Sequence, residues 1–106
     1  MLITKEETFG PVAAILPFDT EDEVLKAAND SPFGLASYLF TRDIGRIFRM
    51  AERLEYGIIG INDGVPSTAQ APFGGVKASG LGREGSKYGI EEYLDIKYVS
   101  LGGMNA

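Results

Sequence analysis

The chain has 106 residues, 44% of them hydrophobic and 24% charged, which fits one ordinary globular domain and excludes disorder and collagen-like repeats. Ten Lys and Arg against 15 Asp and Glu leave a formal charge of −5, so no basic surface is available to neutralise nucleic-acid phosphates or anionic lipid, and neither is expected as a partner. There is no Cys and no His, which removes thiol nucleophiles, imidazole bases, Cys/His metal sites and disulfides from the chain's own chemistry.

Taken in order, Val12-Ala-Ala-Ile-Leu16 is a continuous apolar run between Pro11 and Pro17, the pattern of a short strand buried on both faces. No apolar run approaches the ~18 to 20 residues of a membrane span, and no charged-then-apolar leader opens the chain, so a cytoplasmic protein is expected. Thr20-Glu-Asp-Glu23 reads as a capping box for a helix carrying Val24, Leu25 and Ala28 on one face, and Pro32 stops it. Residues 35–41 have strand composition. Asp43 then caps a second helix in which Ile44, Ile47, Phe48, Ala51 and Leu54 recur at helical spacing, with Gly57 as its C-terminal stop. Residues 58–61 form a third strand. The order strand, helix, strand, helix, strand predicts an α/β fold with a parallel sheet.

Residues 62–82 hold two prolines and five glycines without helical or strand period, and their apolar members with sparse charge point to a functional loop packed on something. A short helix over 83–94 and an alternating strand over 96–101 complete the prediction. That last strand has no evident partner, so its edge invites pairing with another chain.

Several residues are candidates for a site. Gly80-Leu-Gly-Arg-Glu-Gly85 has the G-x-G-x-x-G spacing of a dinucleotide fingerprint, but it follows a loop rather than a strand and lacks the acidic residue about 20 positions on, so loop and helix-start geometry is the better account. Glu7 precedes Phe9 on a turn closed by Gly10-Pro11. The carboxylate can accept from ribose hydroxyls while the ring packs on a flat heterocycle, or the two are a solvated acid and a core aromatic. Phe73 either lines a pocket or anchors its loop, and Ser67 either donates to a substrate carboxylate or forms a turn. Glu91 and Glu92 do not face each other on a helix. Arg42, Arg46, Arg49 and Arg53 form a stripe opposite the apolar face of the second helix, as a solvated face would.

Glu6-Glu-Thr-Phe-Gly-Pro11, Asn29 with Gly34-Leu-Ala36, residues 57–62, and above all Pro72-Phe-Gly-Gly-Val-Lys-Ala-Ser-Gly80 with Gly82-Arg-Glu84 resemble the C-terminal part of the NAD(P)-dependent aldehyde dehydrogenase family. The resemblance covers residues 2–101 and is strongest to its succinate-semialdehyde branch. It implies that residues 1–62 belong to the catalytic α/β domain, 63–95 to an active-site loop and helix, and 96–102 to an arm that joins a neighbouring subunit in a homo-oligomer. It further implies that Glu7 holds the nicotinamide-side ribose and Phe9 lies beside the nicotinamide ring. Ser67 would bind the distal carboxylate of the substrate, Phe73 would line the aldehyde tunnel, and Asn62 would support the floor of the site. In the family a cysteine thiolate forms a thiohemiacetal with the aldehyde, and NAD or NADP accepts the hydride. That cysteine, the general-base glutamate, the oxyanion asparagine and the dinucleotide-binding domain all lie upstream of the matching segment. The chain is therefore expected to be a C-terminal fragment, inactive alone, with no catalytic residue and no metal ligand of its own, and with the cofactor bound mainly by the missing domain. The alternative expectation is a stand-alone α/β interaction module that pairs through its last strand.

Overall fold

The first helix begins where its capping chemistry places it. In the computed structural model, which describes residues 1–105, the Thr20 hydroxyl accepts the Glu23 amide at 3.2 Å, and the Glu23 carboxylate reaches back to the Asp19 amide at 2.9 Å. Helix α1 spans Glu21–Asn29, with Glu21, Asp22 and Glu23 in the first turn, where the helix dipole favours anions. Strand β1 (Phe33–Gly34) and strand β2 (Ala36–Leu39) follow, then helix α2 (Ile44–Arg53), whose first turn is capped by Asp43 Oδ1 accepting the Arg46 amide at 3.0 Å.

Strand β3 (Ile58–Ile61) pairs parallel with β2, Ala36 opposite Ile58 through Leu39 opposite Ile61. A parallel pair needs a crossover, and α2 provides it. Strand β4 (Val76–Lys77) pairs antiparallel with β1, Gly34 opposite Val76, so the chain forms two two-stranded sheets among α-helices, a mixed α/β arrangement. Short 3₁₀ turns lie at Leu2–Thr4 and Gly89–Tyr93.

The sequence prediction is corrected in several places. Residues 12–16 form no ladder and are exposed, Ile15 by 90%, because no strand of this chain lies beside them. The three-strand parallel sheet is therefore a two-strand one. Gly57 is not the helix stop, since α2 ends at Arg53 with Leu54 as its cap in extended geometry. The 62–82 stretch is not wholly irregular: β4 falls within it. The predicted helix over 83–94 is reduced to the 3₁₀ turn Gly89–Tyr93, because Gly85 and Ser86 both take positive φ, which an α-helix cannot carry. Residues 96–101 form no strand within the chain, a strand edge being stable only with a partner to complete its ladder.

Among the described residues two apolar side chains are buried, Leu25 on α1 and Met50 on α2. The accessible surface is 9135 Å², against about 5,800 Å² for a globular protein of this mass. The radius of gyration is 20.1 Å, where about 13 Å is usual for this length. Among the described residues no helix is long and apolar enough to cross a membrane.

Candidate functional site

The loop that carries Ser67 and Phe73 is fixed at both ends by backbone. At its start, Asn62 takes the left-handed region, φ 52°, and its amide clasps the end of β2: Oδ1 accepts the Thr41 N–H and Nδ2 donates to the Thr41 carbonyl, both at 2.9 Å. The Asn62 N–H donates to the Leu39 carbonyl, so Asn62 extends the β2–β3 ladder by one step through its side chain. Asp63 Oδ1 then accepts the Val65 amide at 2.9 Å in an Asx turn. At its far end Phe73 exchanges two backbone bonds with Glu84, 2.8 and 2.7 Å, an antiparallel bridge.

The run after Phe73 is a packing node rather than a set of reactive side chains. A Cβ on Gly57 would strike the Gly74 carbonyl, and one on Gly74 would meet the Gly82 carbonyl at 2.5 Å, so three stretches of backbone approach more closely than any side chain allows. Ser79 Oγ accepts the Gly34 N–H at 2.9 Å. Lys77, at φ 55°, sends its ammonium to the carbonyls of Asn29 and Ser31 and to Glu55 at 2.5 Å, capping the C-terminal end of α1. Arg83 Nη1 donates to the carbonyls of Gly75 and Gly82 at 2.9 and 2.7 Å. Asn29 joins the helix ends, donating to the Arg53 carbonyl and accepting the Glu55 amide.

Two cavities flank this node. One of about 350 Å³ is lined by Ser67, Thr68, Ala69, Phe73, Glu84 and Gly85 among others. The second, about 830 Å³, takes Phe73 on one side and Leu35, Arg83, Glu92 and Tyr93 elsewhere. The structure thus brings Ser67 and Phe73 to one cavity, with Asn62 at the root of their loop. Glu7 and Phe9 are not part of it: no lining residue of either cavity comes from residues 1–20. Phe9 is 94% exposed, and the Glu7 carboxylate has no hydrogen-bond or ion-pair partner among the described residues. A free acceptor two residues from a free aromatic face is compatible with a ribose and a flat heterocycle.

The residues that sequence reasoning missed are Lys77, Ser79, Arg83, Glu84 and Ser86. The G-x-G-x-x-G spacing marked a structurally special stretch: all three of its glycines take positive φ, and the backbone around the third meets the Ser67 loop.

The arginine stripe of α2 is also corrected, for it is not merely solvated. Arg46 and Arg49 both bind Glu21, at 2.6 and 2.9 Å, and Arg53 binds Asp22 at 2.9 Å, so the stripe grips the acidic first turn of α1. Hydrogen bonds from Arg49 and Arg46 lower the Glu21 pKa to about 2, and the Arg46 backbone N–H lowers that of Asp43. The pairs are exposed, so they orient the helices more than they stabilise them. Among the described residues no cluster of acidic residues could hold a metal.

Residues 1–99 match the family model described as Aldehyde dehydrogenase family. A succinate semialdehyde dehydrogenase of Acinetobacter baylyi is 62% identical over 98% of this chain and 22% of its own length. A glutarate-semialdehyde dehydrogenase of Pseudomonas aeruginosa is 62% identical over 97% of this chain and 21% of its own. The crystal structure of succinate-semialdehyde dehydrogenase from Burkholderia pseudomallei superposes with a TM-score of 0.90 at 61% identity, covering 93% of this chain and 20% of that one. The chain therefore spans about one fifth of the length of the curated relatives it matches.

Proposed function

The chain belongs to the aldehyde dehydrogenase family, and we propose that it serves as the pocket-lining segment of an enzyme oxidising short aldehydes with a distal carboxylate, such as succinate semialdehyde, to the acid. The observation that carries this is the convergence of Ser67 and Phe73 on one cavity, in a chain 62% identical to two enzymes named for ω-carboxylated aldehydes. Ser67 would donate its hydroxyl to the substrate carboxylate, and Phe73 would pack along the short carbon chain and exclude water. Asn62 sets where the loop leaves the sheet.

NAD or NADP would supply the hydride acceptor of the reaction. From this chain Glu7 would accept from its ribose hydroxyls and Phe9 would lie against its ring. The chain contains no Cys, so a thiol nucleophile would come from outside it. Residues 96–102 would then complete a sheet edge of a neighbouring subunit in a homo-oligomer.

The test replaces the 104 matching residues of the A. baylyi enzyme with this chain. The graft should oxidise succinate semialdehyde. Ser67→Ala in the graft should raise KM for that substrate by about tenfold, the value of a hydrogen bond to a charged group, and leave KM for butanal unchanged. Equal effects on both aldehydes would remove Ser67 from carboxylate recognition. Glu7→Gln should raise KM for the dinucleotide and not for the aldehyde.

A further inference from the structure

Among the described residues, every hydrogen bond that ties residues 67–73 to the rest of the chain ends on Glu84 or Ser86. The Phe73 N–H donates to the Glu84 carbonyl, the Glu84 N–H to the Phe73 carbonyl, and the Ser86 N–H to the Ala69 carbonyl at 2.9 Å. The remaining bond of the segment, from the Ala71 N–H to the Thr68 carbonyl at 3.3 Å, is internal to it. Ser67 lies two residues before the Ala69 anchor, and its own hydroxyl makes no hydrogen bond among the described residues. It therefore stands between the Asx turn at Val65 and the Ala69 anchor, and Ala69 is the hold on its far side.

Gly85 is the point on which this turns. It takes φ 67° and Ser86 takes φ 53°, two consecutive left-handed residues that turn the Ser86 N–H toward the loop. The Ala71 and Ala69 carbonyls lie 3.3 and 3.5 Å from where a Gly85 Cβ would stand, so the loop's backbone rests on the face that glycine leaves bare. Gly85 and Glu84 also line the cavity shared by Ser67 and Phe73.

We infer that Gly85 is a positioning residue for carboxylate recognition: through its contact with the loop backbone, the Glu84–Ser86 turn sets the reach of Ser67 into the cavity and so the affinity for ω-carboxylated aldehydes. This rests on the proposed reading of Ser67. A Cβ at Gly85 would press on the Ala71 carbonyl, at 3.3 Å, touch the Ala69 carbonyl, at 3.5 Å, and strain a turn at φ 67°, so the loop and Ser67 with it shift by a few tenths of an ångström, while the chemistry, performed by groups outside the turn, is left alone.

The experiment measures kcat and KM in the grafted enzyme for succinate semialdehyde and for butanal, which lacks the carboxylate. Gly85→Ala is expected to raise KM for succinate semialdehyde by about tenfold, with KM for butanal and both kcat values within about twofold. Gly85→Asn, which tolerates left-handed φ yet places the same Cβ, should behave alike and decides the matter if the alanine variant does not fold. The double variant Ser67→Ala/Gly85→Ala should be no worse than Ser67→Ala alone, since Gly85 acts through Ser67. If Ser67→Ala is selective but the Gly85 variants affect both aldehydes equally, or neither, the inference is overturned and the reading of Ser67 stands. If Ser67→Ala is not selective, the reading falls and the inference with it. Failure of both Gly85 variants to fold would make the turn a folding element and overturn the inference too.

Discussion

Asn62 offers a test in which side chain and backbone can be separated. Its carboxamide makes two bonds of 2.9 Å to the Thr41 backbone, and its own backbone sits at φ 52°, where a Cβ is disfavoured unless the residue is Asn or Asp. In Asn62→Ala, two exposed bonds at about 0.5 to 1 kcal/mol each and a left-handed alanine at about 1 kcal/mol amount together to roughly 2 to 3 kcal/mol. In Asn62→Gly the bonds are lost and the backbone is relieved, leaving roughly 1 to 2 kcal/mol. The assay is amide hydrogen exchange at Thr41, whose N–H has Asn62 Oδ1 as its one acceptor among the described residues. At a tenfold change per 1.4 kcal/mol, exchange in the grafted enzyme should quicken by about 30- to 140-fold for Ala and about 5- to 30-fold for Gly. A glycine variant as fast as the alanine one would show that left-handed strain plays no part. An unaltered Thr41 in both would remove the clasp from the reasoning altogether.

Three further outcomes follow from the same structure. Gly57→Ala sets a Cβ against the Gly74 carbonyl, a neighbour that is backbone and cannot swing aside, and should cost about 1 to 3 kcal/mol, read as a lower denaturation midpoint with β3 exchanging faster. Lys77→Met keeps the side chain's length but removes the bonds to Asn29, Ser31 and Glu55, and should cost about 1 to 2 kcal/mol, with exchange quickening at the C-terminal turn of α1. Glu21, with its pKa lowered to about 2 from 4.5, binds its proton more weakly folded than unfolded. Its contribution is therefore complete above about pH 5 and lost as pH falls from there through 2, and the acid limb of a stability–pH curve should flatten in Glu21→Gln. A Glu21 carboxyl titrating by NMR near 4.5 would refute the pairing with Arg49 and Arg46.

What the sequence conveys well is what local chemistry decides. Thr20 and Asp43 start their helices where capping rules place them, because a hydroxyl or carboxylate needs only the amide three residues on. Strand β3 lies where its isoleucines predicted. What it conveys poorly depends on partners distant in the chain. Residues 12–16 and 96–101 have strand composition, but a ladder needs a second strand that this chain does not bring beside them. The arginines of α2 read as solvated because their acids stand 25 to 31 residues away. The most distinctive run, residues 72–80, reads as a site by its rarity. Yet Lys77 caps α1, Ser79 binds β1 and its glycines admit backbone, and Phe73 is the one residue of the run that lines both cavities.

The exposed surface gives these observations a common cause. With Leu25 and Met50 as its buried apolar residues among those described, the chain leaves about 3,400 Å² more accessible surface than a globular protein of its mass, above the roughly 1,000 to 2,500 Å² that each partner commonly gives to a permanent interface. Much of it is apolar and strand-like: Val12, Ile15 and Leu16 near one end, Ile96, Tyr98 and Val99 near the other. The two stretches lacking ladder partners thus coincide with uncovered apolar side chains, and one remedy, further strands of other polypeptide laid beside them, would satisfy both backbone and side chains. The same reasoning extends to Glu7 and Phe9, which present a carboxylate and a bare ring without a partner among the described residues. A surface of this kind supports the proposed reading of the chain as one wall of a larger unit, with the node around Gly57, Gly74 and Arg83 holding the loop that carries Ser67 and Phe73 in place.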